Sequence, residues 1–383
     1  MSDVEGGGTD WTPIAVLPSV NIQTVKLGGP HIALLGSEDP RYRSLIEHSG
    51  DLRVFLSSIT GSHGEGLHPG LLAVNREYIG KLPPEAVASF RDIIVASVVL
   101  GVRVEAALSV GSRGPFYSNS FDLYPWMIAD EKDRVRAISP AIVALHKLQG
   151  FRGIACPALP THTVEDQHVH ESLFVALYNR WQMRYIEARD DWDHRAVLRS
   201  LNMAAAAMQL PVTSVAETMY DWGRVLSLWV SAFEILVHPG EKERADRDKV
   251  LALLSSINWW RQKMTETCHP IAFGKHTEDR TLAEWLYNRL YNLRNDYLHG
   301  NPVEASGFRM SNGTSILSCP AALYRMALTS RVPSGDSITR EDVRSGRRSI
   351  EEYGRFYAST LFQASCEDCL IRAVDPDAEE DID

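Results

Sequence analysis

An arginine and a histidine five residues apart, Arg294 and His299, carry the side chains best suited to chemistry in this chain of 383 residues. A histidine accepts or donates a proton near neutral pH, and the forked guanidinium of an arginine binds phosphate. Cleavage of RNA by its own 2′-hydroxyl needs a proton acceptor, a proton donor and a cation, but no metal ion. One chain offers a single such histidine, so two copies of the chain would be needed to supply both proton-transfer roles of metal-independent RNA cleavage. The expected products are a 2′,3′-cyclic phosphate and a 5′-hydroxyl.

The spacing alone is a weak signal, because 31 arginines and 13 histidines in 383 residues produce an Arg-x4-His pattern about once by chance. The pattern occurs at 43–48, 189–194 and 294–299. Residues 43–48 lie in a polar stretch that predicts no helix with a core face, and residues 189–194 span the acidic break between two predicted helices. The third copy alone has a context that predicts a site.

A predicted helix over 280–299 positions this third pair. Apolar residues recur at helical spacing before Arg294 and indicate one buried face. Gly300 and Pro302 are typical of residues that follow a helix, so His299 is expected in the last turn, where the helix dipole favours a positive charge. Asn295 faces the same way as His299, while Arg294 lies about 140° around the helix. The simpler alternative is that His299 caps the helix and Arg294 pairs with an acid.

Two segments resemble a known family. The segment at 291–300 resembles the signature of HEPN domains, in which an arginine, a polar residue, a histidine and often a glycine close a long helix. The segment at 226–236 is similar to the first helix of the Apea-like HEPN branch, where an aromatic residue, a glutamate and leucines recur. The resemblance covers about residues 213–372 and implies a dimer whose cleft joins two Arg/His motifs. The residues that it implies as catalytic are Arg294, Asn295 and His299.

Two acidic residues are candidates for supporting roles. Glu234 lies on the helix expected to pack beside the motif, where it either holds Arg294 or His299 in place or forms an ordinary buried ion pair. Asp296 lies within the motif. The sequence departs from the family pattern after the motif, because Asn301 to Pro320 form a long polar loop where many members pass more directly to the next helix. This loop is expected to cover or regulate part of the cleft.

The net charge of −10 is unusual for a nucleic-acid enzyme, because phosphate contacts normally require basic surface. Six acidic residues in the tail at 375–383 contribute much of this charge, and the tail is expected to be disordered and solvated. A basic patch near the C-terminus is expected to guide RNA toward the cleft, unless neighbouring acids leave it as a plain solvated loop. Its residues are Arg340, Arg344, Arg347 and Arg348.

The sequence predicts two domains, at 1–165 and 166–374, before the tail. The first is expected to be α+β, with a long helix that follows Pro83 and Pro84 and runs to Ala107. Its function is expected to be the sensing of a trigger ligand or protein, or the choice of RNA target. The strands of this domain are predicted at 14–17, 21–27, 31–35 and 52–59.

From residue 168 onward the pattern is wholly helical, which predicts an all-α helical bundle of the HEPN-like kind as the second domain. A capping box at Ser214 to Glu217 is expected to begin one of its helices, and His238 to Gly240 to end it. The predicted helices are 168–189, 194–209, 213–237, 244–265, 280–299, 321–330 and 349–373.

Neither a cofactor nor a metal ion is predicted. A possible zinc set near Cys156 is rejected because two of its histidines lie two residues apart on a predicted helix and point to different sides. The members of this set are His162, His168, His170 and Glu171.

The five cysteines are an odd number and favour reduced thiols, and the pair at 366–369 is expected to pack in a core. No apolar stretch has the length of a membrane span, and the first residues lack the pattern of a signal peptide. We therefore expect a cytoplasmic protein that does not contact a membrane.

Together these features predict an Apea-like HEPN endoribonuclease that acts as a homodimer on an RNA substrate. The resemblance further implies a growth-arresting effector of phage defence or of a toxin system. Two alternatives stay open: a HEPN-like module that binds RNA or a partner without catalysis, and a purely structural bundle in which the motif is a helix cap.

Overall fold

The computed structural model describes residues 10–57, 59, 66–109, 114–125, 127–128, 134–138, 143–147, 163–209, 218–240, 243–332 and 350–377. The chain forms two compact units, the first from residues 1–94 and 113–169 and the second from residues 95–112 and 170–383. The predicted boundary at 165/166 lies near the observed one at 169/170. The sequence did not predict that residues 95–112 belong with the C-terminal unit, because the long helix α3, Pro84–Leu108, begins in one unit and ends in the other.

The first unit is built on a five-stranded antiparallel sheet with the strand order β2-β3-β4-β1-β5. Helices α1 (Pro40–His48) and α2 (Gly50–Ser57) pack against this sheet, where Phe55 is fully buried against residues of the strands. The predicted α+β character of this region is confirmed. The five strands are β1 Trp11–Leu17, β2 Leu27–Gly28, β3 Ile32–Leu35, β4 Gly70–Asn75 and β5 Tyr124–Pro125. A separate antiparallel sheet contains β6 Met127–Ile128, β7 Arg134–Ile138 and β8 Val143–Lys147.

Two strand predictions in this unit are wrong. Residues 52–59 fall largely in helix α2, because its buried residues Leu52, Phe55 and Leu56 follow helical spacing rather than alternation. Residues 21–27 contribute only the start of β2. The backbone N–H groups of Gln23 and Thr24 donate to the carboxylate of Asp166 at 2.9 and 2.8 Å. These N–H groups are therefore not free to pair with a neighbouring strand.

The second unit is predominantly helical, as predicted. Its helices after α3 are α4 Glu171–Tyr185, α5 Trp192–Ala207, α6 Met219–Leu236, α7 Arg247–Ser255, α8 Gln262–Thr265, α9 Leu282–Leu298, α10 Cys319–Arg331 and α11 Ile350–Val374. Helix α6 begins with a capping box between Thr218 and Asp221. The capping box predicted at Ser214 to Glu217 lies outside the described residues.

The prediction of an all-α second domain is wrong, because a β-hairpin precedes α9. Its strands are β9 His269–Phe273 and β10 His276–Arg280, and Gly274 occupies the turn with a φ of +61°. The helix predicted at 244–265 is also divided into α7 and α8. Between them the backbone N–H groups of Trp260 and Arg261 donate to the buried carboxylate of Glu367, so these donors do not continue a helix.

The core of the second unit lies where α5, α6, α9 and α10 meet. The ring of Phe233 on α6 contacts Tyr287 on α9 at 5.2 Å and Tyr324 on α10 at 5.4 Å between centroids. The hydroxyl of Ser200 on α5 donates to the carbonyl of Ala232 and lies 2.7 Å from the hydroxyl of Tyr324. These contacts fix α9 against α6. Within the described part of the chain, no helix combines the length and the apolar character that a membrane crossing needs.

Candidate functional site

Helix α9 presents the predicted motif at its C-terminal end. The helix begins after a capping box between Thr281 and Glu284 and ends at Leu298, which agrees with the predicted helix over 280–299. His299 is the C-cap residue, and Gly300 follows with a φ of +74°, a left-handed conformation that favours glycine. The sequence thus located the end of the helix and the position of His299 correctly.

Arg294 is held by an acid from the neighbouring helix. Its Nη2 donates to Oε2 of Glu234 on α6 at 3.4 Å, and its Nη1 donates to Oδ1 of Asn295 at 2.9 Å. The side chains of Arg294 and Glu234 are 21% and 20% exposed, so the pair is largely shielded from water. Nε of Arg294 is buried and has no hydrogen-bond partner among the described residues. The guanidinium therefore keeps an unused donor.

Burial of Glu234 raises the pKa of its carboxyl, and Asp246 adds to this effect, whereas the positive charge of Arg294 lowers the pKa. Desolvation is the largest of these causes. A phosphate that binds Arg294 would have to displace Glu234, and the half-buried carboxylate would then lose its counter-ion.

Helices α6 and α9 run antiparallel, and this directs Arg294 away from His299. Tyr297 lies against Gly223 near the start of α6, whereas Tyr287 lies against Phe233 near its end. Glu234 follows Gly223 by eleven residues, about 16 Å along a helix axis. By pairing with Glu234, Arg294 turns back along α9 toward its N-terminus. One chain therefore brings the guanidinium of Arg294 to Asn295 and Glu234 and away from the helix end that carries His299.

His299 is exposed, and its backbone N–H donates to the carbonyl of Asn295 at 2.9 Å. Among the described residues, none forms a hydrogen bond with its imidazole. Asn295 lies one turn earlier on the same helical face. An exposed imidazole at a rigid helix end is accessible to a substrate or to a second copy of the chain.

Asp296 holds the segment that follows the helix. Its side chain accepts from Nδ2 of Asn301 at 2.9 Å, and its carbonyl accepts from the backbone N–H of Asn301 at 2.9 Å. Asp296 thus fixes the chain immediately after His299, a supporting role of structural kind.

The segment at 301–318 is anchored to α9. Arg289 donates to the carbonyls of Gly307 and Arg309 at 3.4 and 2.7 Å. Phe308 is 2% exposed, and its ring contacts Trp222 on α6 at 5.3 Å. Two 3₁₀ turns, Ala305–Phe308 and Ile316–Ser318, interrupt the predicted loop, and α10 begins at Cys319. The segment is therefore packed on the helices, and its predicted role as a cover stays a prediction.

Sequence reasoning missed three polar residues on or beside α9. The hydroxyl of Tyr287 is buried without a hydrogen-bond partner among the described residues, and burial raises its pKa well above the ordinary value. Arg247 on α7 donates to the side chain of Asn288 at 3.2 Å, and its guanidinium lies 4.4 Å from the ring centroid of Phe273. Tyr287 precedes Arg294 by seven residues, about two helical turns, and this spacing could have predicted that the two side chains share a face.

The first of the other two Arg-x4-His copies corrects a prediction. Residues 43–48 are not a stretch without a helix, because they form the end of α1, whose residues Tyr42 and Leu45 are buried. His48 Nδ1 lies 2.7 Å from the carbonyl of Ser44, and Arg43 pairs with Glu38. This copy shares with 294–299 its place at the end of a helix, so that place alone does not distinguish the two.

The second copy spans a break between helices, as predicted. Arg189 follows α4 and pairs with Glu187 at 2.9 Å. His194 lies on α5 and is 6% exposed, and its burial lowers its pKa.

The remaining predicted groups do not add to the site. The basic patch of Arg340, Arg344, Arg347 and Arg348 lies outside the described residues, as do Cys156 and His162. Across the described ranges, no three His, Cys, Asp or Glu side chains are placed to share a metal ion. Cys366 and Cys369 are buried in the core, as predicted, and burial raises the pKa of both thiols.

No family model matches this chain, and comparisons with curated proteins and with solved structures likewise found no match. The resemblance to HEPN domains therefore stays a prediction that rests on the two sequence segments at 226–236 and 291–300.

Proposed function

We propose that this chain is a metal-independent endoribonuclease of the HEPN type that works as a homodimer. The observation that supports the proposal is the exposed imidazole of His299 at the end of α9, one turn after Arg294 and Asn295. Because one chain directs Arg294 away from His299, a shared cleft needs the second copy. Two copies supply two histidines, which are the two proton-transfer groups that the reaction requires.

In the proposed reaction one His299 accepts the proton of the 2′-hydroxyl, and the 2′-oxygen attacks the adjacent phosphorus. The bond from phosphorus to the 5′-oxygen breaks, and His299 of the other copy donates a proton to that oxygen. Arg294 leaves Glu234 for the phosphate and stabilises its negative charge. The products are a 2′,3′-cyclic phosphate and a 5′-hydroxyl, and no metal ion takes part.

A matched pair of substitutions tests the proposal. His299→Ala is expected to reduce RNA cleavage by at least about a hundredfold, the usual contribution of one proton-transfer group, without changing the helical circular dichroism. His48→Ala removes a histidine from the same Arg-x4-His pattern at the end of another helix and is expected to leave cleavage unchanged. Equal cleavage by wild type and His299→Ala would reject the catalytic assignment.

A purely structural bundle, in which the motif only ends the helix, is the second candidate. The ion pair between Arg294 and Glu234 and the position of His299 as the C-cap favour it, because these are the contacts that this alternative expects. It predicts weak RNA affinity that Arg294→Ala does not change, and no cyclic-phosphate product. A module that binds RNA without catalysis would differ by an RNA affinity that Arg294→Ala weakens.

The implied biology follows from the activity. We propose a growth-arresting effector, as the resemblance to defence and toxin HEPN proteins implies. Induced expression of the wild type is then expected to stop bacterial growth, and expression of His299→Ala to permit it.

A further inference from the structure

An exposed aromatic ring and an exposed arginine lie one helical turn apart at the start of α6. Tyr220 is 76% exposed, and Arg224 follows it at a spacing that places both side chains on one face of the helix. We propose that Tyr220 and Arg224 bind one single-stranded nucleotide of the RNA substrate, with the ring against the base and the guanidinium on the phosphate. This inference rests on the proposed ribonuclease function and deepens it.

The antiparallel packing of α6 and α9 places Tyr220 beside the end of α9. The hydroxyl of Tyr297 donates to the carbonyl of Tyr220 at 3.3 Å, and the ring of Tyr297 lies against Gly223. Side chains on a helix tilt toward its N-terminus, so the ring of Tyr220 projects beyond the start of α6. His299 follows Tyr297 by two residues at this same end. The ring of Tyr220 therefore lies at the same end of the α6–α9 pair as the proposed catalytic imidazole.

The surroundings of Tyr220 are apolar and accessible. Met219 is 40% exposed and Leu298 is 54% exposed, so three large apolar side chains face water near the helix ends. An exposed group of apolar side chains marks a binding surface. A flat tyrosine ring among them is suited to stack on a nucleobase, because every base has a π face.

The guanidinium of Arg224 is exposed and only weakly engaged by its neighbour. Its side chain is 49% exposed, and its ion pair with Asp221 is long, at 3.8 Å. Two arginines of the nearby α9 are more fully engaged, since Arg289 donates to loop carbonyls and Arg294 pairs with Glu234. Arg224 is thus available for a phosphate that lies next to a base on Tyr220.

The geometry favours single-stranded RNA over a duplex. In an RNA helix the base faces are covered by their neighbours, whereas an unstacked base exposes its face to an aromatic side chain. Cleavage through the 2′-hydroxyl also needs a strand free to align that hydroxyl with the phosphorus. A base held on Tyr220, at the end of the α6–α9 pair that carries His299, would position such a strand.

The test measures binding rather than cleavage. Each protein carries His299→Ala so that the probe stays intact, and the anisotropy of a short fluorescein-labelled single-stranded RNA is titrated in EDTA. Adding Tyr220→Ala is expected to weaken binding by about tenfold, the usual effect of removing one stacked base. Adding Arg224→Ala is expected to weaken binding and to lower the salt dependence by about one phosphate contact.

Two further variants make the comparison specific. Tyr220→Phe keeps the ring and is expected to restore the affinity that Tyr220→Ala loses. Val175→Ala removes another large exposed apolar side chain, 54% exposed on α4, and is expected to bind RNA like the parent.

Three results would overturn the inference: an affinity for Tyr220→Ala within twofold of the parent, an equal loss for a duplex probe, or no binding by the parent. A loss of affinity that accompanies a change from dimer to monomer in light scattering would instead assign Tyr220 to a contact between copies. Loss of binding in Tyr220→Ala, together with a wild type that cleaves no RNA, would support nucleotide binding by Tyr220 and reject the proposed catalysis. RNA cleavage by the wild type, together with unchanged RNA binding by Tyr220→Ala, would reject only nucleotide binding by Tyr220.

Discussion

At the scale of single residues, Arg294 and His299 are close in sequence but have different surroundings. The imidazole of His299 is exposed, whereas the guanidinium of Arg294 is shielded by Glu234 and Asn295. A phosphate must therefore displace Glu234 to reach Arg294, which would leave the carboxyl of Glu234 without its counter-ion where burial already raises its pKa. Nε of Arg294 is buried and has no hydrogen-bond partner among the described residues.

A second residue, His170, predicts a specific dependence of stability on pH. Its Nδ1 accepts from the backbone N–H of Leu173 at 3.2 Å as the N-cap of α4, and it lies 3.4 Å from Nη2 of Arg325. Burial lowers the pKa of His170 to about 3, and the positive charge of Arg325 adds to this effect. Protonation would remove the capping acceptor and place two positive charges together.

Since the folded pKa of His170 lies below its unfolded value of 6.5, the stability that neutral His170 contributes is full above pH 6.5 and is lost as pH falls toward 3. Urea unfolding at pH 7 and pH 5 is expected to show a loss of about 2 kcal/mol from this group. His170→Asn keeps a capping acceptor that does not titrate. It is expected to reduce the difference in stability between pH 7 and pH 5 by about 2 kcal/mol. An unchanged difference would show that His170 is not its source.

Sequence reasoning located His299 but not the partner of Arg294. Gly300 and the apolar repeat before Arg294 carry the information about where α9 ends, and both are local. Whether Glu234 reaches Arg294 or His299 depends on the register of α6 against α9. That register is set by packing between residues about 60 positions apart, such as Glu234 and Arg294, and no local pattern encodes it.

At the scale of elements, the contact between Gly223 and Tyr297 fixes the start of α6 against the end of α9. A Cβ atom at Gly223 would lie 2.2 Å from the ring of Tyr297. Glycine is otherwise costly within a helix, because alanine is more favourable by about 1 kcal/mol. The close approach of the ring accounts for a glycine at this position.

This contact predicts that the effect of Gly223→Ala on the free energy of unfolding has opposite signs in the wild type and in a Tyr297→Ala variant. Gly223→Ala alone is expected to destabilise the protein by about 1–3 kcal/mol, because the added methyl group overpacks the interface. In a Tyr297→Ala background the same change is expected to stabilise the protein by up to about 1 kcal/mol. Without the ring, the added methyl group meets no clash, and the higher helix propensity of alanine remains. Urea unfolding of the four proteins measures both values. The same sign in both backgrounds would contradict the contact.

The elements that the sequence predicted well have a strong apolar period, as α3 and α9 do. The hairpin of β9 and β10 was missed because its sequence has no regular apolar period. Ile271 is its only fully buried residue. Helix α2 was mistaken for a strand because its short apolar run fits both periods. The secondary structure of such segments depends on contacts with residues distant in sequence, such as Glu367 at the break before α8.

At the scale of the whole molecule, the proposed cleft needs two intact copies of His299. A chain with His299→Ala is therefore expected to inactivate a wild-type partner. When a wild-type chain with one affinity tag is co-expressed with a tenfold excess of His299→Ala chains, its activity per wild-type chain is expected to fall to about a tenth, as random pairing in dimers requires. The same excess of His48→Ala chains is the control. Wild-type activity that does not fall would show that one copy of His299 is sufficient.

The most direct test of the central claim is the analysis of RNA ends after incubation with the wild type in EDTA. The proposed mechanism predicts fragments with 2′,3′-cyclic phosphate and 5′-hydroxyl ends, and intact RNA with His299→Ala under the same conditions. Fragments with 5′-phosphate ends, or cleavage that EDTA abolishes, would contradict attack by the 2′-hydroxyl without a metal ion.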